Sequence, residues 1–144
     1  MQELNNEIKP TSMKTTKKKI DMIIEKTKTG FSAYAKDYPI YTTGKTIADL
    51  INNTYEATTL YFEEQKVKVT PDNINFEVDF KQFFQYYKVI NSKFLAEKIG
   101  MNPTLLSQYV QGRKKPSGQQ TDKILNGIHQ IGRELSELNL IHRV

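Results

Sequence analysis

Cysteine is absent from the 144 residues, which excludes disulfide frameworks, thiolate zinc sites and cysteine nucleophiles. Only two histidines, His129 and His142, remain as imidazole ligands or bases. Metal or histidine-based catalysis therefore has almost no inventory, and the expectation is a protein that is not an enzyme and carries no cofactor. No apolar run approaches the ~20 residues that span a bilayer, and residues 1–20 have no apolar centre resembling a signal peptide. The expected setting is cytoplasmic, without a membrane partner.

What is present fits a folded chain with room for one medium domain or two small ones: 38% of residues are hydrophobic, 10% aromatic and 26% charged. The formal net charge is +5, and its distribution matters more than its total. Residues 1–19 hold five lysines and two acids. Residues 20–80 hold six lysines against ten acids, a net of −4, whereas residues 91–144 hold eight basic and four acidic side chains, a net of +4. An acidic middle followed by a basic end predicts two modules with different partners, the basic one suited to nucleic acid.

Patterning divides the chain in the same way. Residues 1–16 show no period of 2 or 3.6 and read as a flexible basic arm that packs on nothing. From Lys18 onward Ile20, Met22 and Ile24 alternate with polar residues, residues 27–30 supply a turn, and Phe31, Ala33 and Ala35 alternate in a second strand. Residues 40–43 form a short third strand closed by Gly44. A helix then starts at the Thr46-x-x-Asp49 signal and runs to about Gln65, with Ile47, Ile51, Tyr55 and Phe62, flanked by Leu50, Ala57 and Tyr61, as the stripe expected to lie on the sheet. Ile74, Phe76, Val78 and Phe80 alternate in the next strand. The first module is thus β-β-β-α-β over residues 17–80, and helical spacing takes over from Phe80 in an all-α module over residues 81–144.

Residues 92–117, SKFLAEKIGMNPTLLSQYVQGRKKPS, read as two short helices around a turn at Gly100. A helix-turn-helix needs a small residue where its helices cross, a residue tolerant of positive φ in the turn, and apolar residues that lock the pair. Ala96, Gly100 and Leu106 meet those offsets, and Leu95, Ile99, Met101, Leu105 and Tyr109 are available to fill the space between. Asn102 caps the second helix and Pro103 starts it. If that helix enters the major groove, Thr104, Ser107, Gln108 and Gln111 face the bases. Gln108 is the best-equipped reader because its amide can both donate to and accept from adenine. Ser92, Asn102 and the run Arg113, Lys114, Lys115 complete the expected DNA contacts, gripping phosphate. Beyond Ser117, Ile124, Ile128, Ile131, Leu135 and Leu138 repeat at 4-3-4-3 spacing, predicting a helix whose first half packs on the helix-turn-helix and whose later turns form a dimer seam. His129 falls off that stripe, as a surface residue.

Residues 18–65, with their hairpin opening at Gly30 and an aromatic residue, their Pro39 and their Gly44 before the helix, resemble the N-terminal module of HicB-type antitoxins. Residues 92–135, including GIHQIGREL, resemble the helix-turn-helix tail of many such antitoxins. In place of the family's acidic, Gly-rich loop after the second strand stand Asp37, Tyr38, Pro39 and Ile40. The resemblance implies an α+β chain in which a truncated, non-catalytic ribonuclease-H-like sheet covers the active site of a small basic HicA-type toxin, an mRNA-cleaving ribonuclease. It further implies that the helix-turn-helix represses the chain's own operon by binding operator double-stranded DNA, as a homodimer or higher homo-oligomer. Asp37, Asp49, Glu56 and Glu63 are the acids expected to steer and hold the toxin. The alternatives are a transcriptional regulator whose α+β module senses a ligand or dimerises, and a two-metal nuclease drawing on Asp21, Glu25, Glu56 and Asp79.

Overall fold

The computed structural model describes residues 13–139, and within them the chain divides between Asp79 and Phe80 into two compact units. It is an α+β protein. The first unit contains β1 (Lys14–Thr15), β2 (Ile20–Thr27), β3 (Gly30–Ala35), β4 (Tyr41–Gly44), α1 (Ile47–Glu63), β5 (Val67–Lys68), a 3-10 turn at Pro71–Asn73 and β6 (Ile74–Val78). The second contains α2 (Phe80–Tyr86), α3 (Ser92–Ile99), α4 (Pro103–Val110) and α5 (Gly118–Ser136).

The main sheet has the order β4-β3-β2-β6. The β2–β3 and β3–β4 pairs are antiparallel, in keeping with short connections, whereas β6 returns parallel to β2 after the α1 crossover. The pairings Met22 with Ala35, Ile24 with Ala33 and Met22 with Phe76 put Ile20, Met22, Ala33 and Ala35 on one side, where with Ile40, Leu50, Phe62 and Val69 they form the core. Residues between them, including Asp21, Ile23, Glu25, Tyr34 and Glu77, point to the opposite side because side chains alternate along a strand.

α1 begins as its sequence requires, with Thr46 Oγ1 accepting the Asp49 N–H at 3.1 Å. Its orientation differs from the apolar stripe expected of it. Leu50, Thr54, Thr58 and Phe62 are buried, while Ile47, Ile51 and Tyr55 remain 42%, 43% and 37% exposed. Two features fix this rotation: Asn53 Nδ2 donates to the Thr43 carbonyl at 2.8 Å, and the backbone at Leu50 lies so close to Gly44 that a side chain on Gly44 would collide with it. Small residues at Thr54 and Thr58 allow close approach to the sheet, which larger apolar side chains would block. Their Oγ1 atoms, with that of Thr59, have no hydrogen-bond partner among the described residues.

Residues 1–12 of the expected arm lie outside the described residues, but residues 13–16 correct it. Lys14 and Thr15 pair in parallel with Val67 and Lys68, and the Lys14 N–H donates to the Lys66 carbonyl at 3.1 Å. Asn73, 8% exposed, accepts from the Thr70 N–H through Oδ1 and donates from Nδ2 to the Thr16 carbonyl at 2.8 Å. A polar segment with no periodicity is thus held by main-chain bonds that leave no hydrophobic signature.

In the second unit α3 and α4 both end at glycines in the left-handed region, Gly100 at φ +68° and Gly112 at φ +73°. After each, the next residue's N–H reaches back five residues: Met101 to the Ala96 carbonyl and Arg113 to the Gln108 carbonyl, both at 2.9 Å. These are Schellman turns, which reverse the chain sharply and satisfy terminal carbonyls. Leu95, Ala96, Met101, Leu106, Tyr109 and Ile124 are buried in this unit, where α3 packs on both α4 and α5, and α4 also on α2. Gly127 lets α5 cross α3 closely, since a Cβ there would overlap Ile99 Cγ2 and stand 3.4 Å from Leu95 Cδ1. Lys98 and Glu134 bridge the same two helices at 3.0 Å. Along α5 the stripe grades from buried Ile124 through half-buried Ile128 and Ile131 to Leu135, 62% exposed; α5 ends at Ser136, so Leu138, 77% exposed, lies beyond the helix expected to carry it, and His129 is exposed.

Candidate nucleic-acid interface and acidic face

α4 is an amphipathic helix of about two turns with a clean division of labour. Leu106 and Tyr109 are buried where α4 packs on α3 and α2, so residues on the opposite side of a 3.6-residue helix must face out. Those residues are Thr104, Ser107, Gln108 and Gln111. Thr104 and Gln111 are exposed, Ser107 and Gln108 half-buried. Gln111 Nε2 donates to Ser107 Oγ at 3.0 Å, which ties one turn to the next. Asn102 is engaged in capping, since its Oδ1 accepts the N–H groups of Thr104 at 2.8 Å and Leu105 at 3.4 Å. Its Nδ2 alone is therefore available to a partner.

Ser92 is the first residue of α3 and half-buried, with Asn91 capping that helix by accepting the Phe94 N–H at 3.2 Å. The Gly112 turn carries the chain from the end of α4 straight into Arg113, Lys114 and Lys115, all exposed. One further cation belongs to this group. The stem of Lys81, from α2, lies against the turn, its Cδ 3.4 Å from where a Cβ on Gly112 would stand. Nothing in its sequence neighbours points to this role, and only the packing of α2 assigns it a place.

Of the four acids expected on the first unit, three share a face. Asp49, Glu56 and Glu63 recur every seven residues on α1 and are exposed, whereas Asp37 lies in the turn between β3 and β4. Asp49 and Glu56 also line a cleft of about 700 Å³ with Thr27, Thr43, Lys45, Asn52 and Asn53. Glu56 does not meet Asp21 or Glu25, which lie on the side of the sheet away from α1. That side is acidic in its own right: burial, and then the charges of Glu25 and Asp79, push the Tyr34 hydroxyl above its ordinary value. Among the described residues no group of three or more His, Asp or Glu side chains is arranged to hold a metal ion, and no helix is long and apolar enough to cross a membrane.

No family model, curated protein or solved structure matches this chain. Its functional reading therefore rests on these two surfaces: a polar helix face ending in a basic turn, and a sheet-and-helix unit whose one long helix carries only acids.

Proposed function

We propose that the chain is a DNA-binding repressor and toxin inhibitor of the HicB type. The second unit acts as a helix-turn-helix, with α4 as the helix that enters the major groove. The observation that carries this reading is the outward row Thr104, Ser107, Gln108 and Gln111 on α4, delivered between a capped N-terminus and the basic turn at residues 113–115. Base readers on one helix face with cations at its end are the arrangement that separates sequence readout from phosphate grip. The exposed Leu135 in the last turn of α5 and Leu138 just beyond it suit a homodimer seam, which would pair two such helices on a two-fold operator.

The first unit serves as a truncated ribonuclease-H-like sheet without catalysis. Its order β4-β3-β2-β6, with β6 parallel to β2 after a helical crossover, is compatible with that topology. Its acidic surface suits a small basic HicA-type toxin. The 700 Å³ cleft beside Asp49 and Glu56 favours a second reading, a regulator whose first unit senses a small polar ligand. Both readings share the DNA function and differ in the partner.

Anisotropy titration of the full chain against DNA upstream of its own gene and against random duplex tests the shared part. A preference of about 10³-fold or more for the upstream DNA is expected. Equal affinity for both would refute sequence-specific repression. Co-expression with the product of the neighbouring gene decides the partner, since a stable complex with a small basic protein supports the inhibitor and its absence favours the sensor.

A further inference from the structure

α2 and α4 contain no acidic residue, and neither does the turn that joins α4 to α5. Basic side chains from two parts of the second unit meet at that turn: Arg113, Lys114 and Lys115, which follow Gly112, and Lys81 of α2, 31 positions before the glycine. Packing sets the position of Lys81. Phe80 and Phe84 are the buried side of α2, and Lys81 is exposed. Its stem lies along the Gly112 turn, with Cδ 3.4 Å and Cβ 3.9 Å from where a Cβ on that glycine would stand. A lysine that rests its methylenes on a turn and leaves its ammonium in water has already lost part of its rotamer freedom on folding. Less remains to be lost when an anion arrives.

The place of the ammonium selects the anion. Gly112 follows Gln108 by four residues, one helical turn, so Lys81 stands at the flank of α4 that carries the best-equipped base reader. A helix lying in the major groove has bases in front of it and a phosphate backbone on either side. A cation held on a neighbouring helix, beside the outward row and not in it, meets the wall of the groove. We infer that Lys81 contacts a backbone phosphate of bound duplex DNA, so that α2 shares the phosphate grip of the basic turn. This rests on the proposed DNA-binding reading and adds to it a contact from outside the helix-turn-helix segment.

The test is anisotropy titration of the full chain on its upstream duplex and on random duplex, repeated over a range of salt concentrations. Lys81→Met keeps the stem and removes the charge. It should weaken binding to both duplexes about fivefold to tenfold at about 0.1 M salt, flatten the slope of log affinity against log salt by about 1, and leave the preference between them unchanged. Lys81→Gln should give the same slope as Lys81→Met, and Lys81→Arg should keep that of the wild type. Lys36→Met removes the same charge from an exposed position after β3 and should leave the slope unchanged. If Lys81→Met and Lys81→Gln keep the wild-type slope and affinity, the stem serves packing alone, and the inference fails while the DNA-binding reading stands. Loss on the upstream duplex only, with the slope kept, would make Lys81 a base contact and also overturn it. An equal loss in Lys36→Met would assign the effect to net charge and overturn it too. If the wild-type chain binds neither duplex, the DNA-binding reading itself falls, and the inference with it.

Discussion

Gly127→Ala measures how closely α3 and α5 cross. On an isolated helix the substitution gains about 0.8–1 kcal/mol, because alanine loses less backbone entropy than glycine. Here the added methyl would overlap Ile99 Cγ2 and press toward Leu95 Cδ1. Cγ2 belongs to a β-branched side chain, so moving it means rotating χ1 against the helix or shifting the helix itself. Leu95 behind it is 1% exposed and has no free volume to enter. Overpacking of this kind costs about 2–3 kcal/mol, so the net expectation is a loss of about 1–2 kcal/mol. Urea unfolding followed at 222 nm, where the helical second unit dominates the signal, reads the change. A cycle with Ile99→Ala isolates its cause: in that background Gly127→Ala should become neutral or stabilising. A gain of about 1 kcal/mol in the wild-type background would refute the close crossing and with it the packing that holds α4 in place.

Four further outcomes follow from the same structure. Gln108→Ala should cost about 1–3 kcal/mol of discrimination at one or two operator base pairs and little affinity for random duplex, as read by competition titration across single-base operator variants. Arg113→Ala with Lys114→Ala should weaken binding to all sequences alike and flatten the slope of log affinity against log salt by about 2, and an unchanged slope would remove both from the phosphate contacts. Thr54→Val should stabilise the first unit by about 1 kcal/mol in denaturant unfolding, since it removes a hydroxyl that is buried without a partner among the described residues. The hydrogen bond from Lys98 holds the Glu134 carboxyl below its ordinary value, so its contribution is present at neutral pH and lost as pH falls through that lowered value. A carboxyl NMR titration should show most of the depression lost in Lys98→Ala, with the Gln130 hydrogen bond and the Arg133 charge keeping the rest.

How much of this was legible beforehand varies with the physical source of each feature. The α3–α4 turn was readable because its demands are local: a residue tolerant of positive φ at Gly100, a cap at Asn102 and a proline at position 103 each act within a few residues of themselves. The strands β2, β3 and β6 were readable because burial on one side imposes a period of two. The seating of β1 was not, because it depends on main-chain bonds and on Asn73 reaching residues more than fifty positions away. Lys81 was invisible as a site residue for the same reason: its place beside Gly112 is made by the docking of α2, and nothing in its neighbours announces it.

The amino-acid sequence by itself determined the capped starts of α1 and α4, the strands β2, β3 and β6, and the change from an acidic to a basic chain near residue 80, because caps, turns, periodicity and charge are properties of short stretches. Only the tertiary structure decided which side of α1 is buried. Apolarity alone pointed Ile47, Ile51 and Tyr55 at the sheet. The close approach of Gly44 and the Asn53 bond to Thr43 turned Thr54 and Thr58 inward instead, because fit between two surfaces, and not the hydrophobicity of one, sets how a helix lies on a sheet. That rotation leaves Ile47, Ile51 and Tyr55 partly in solvent on one flank of the helix, with Asp49 and Glu56 on the cleft at the other.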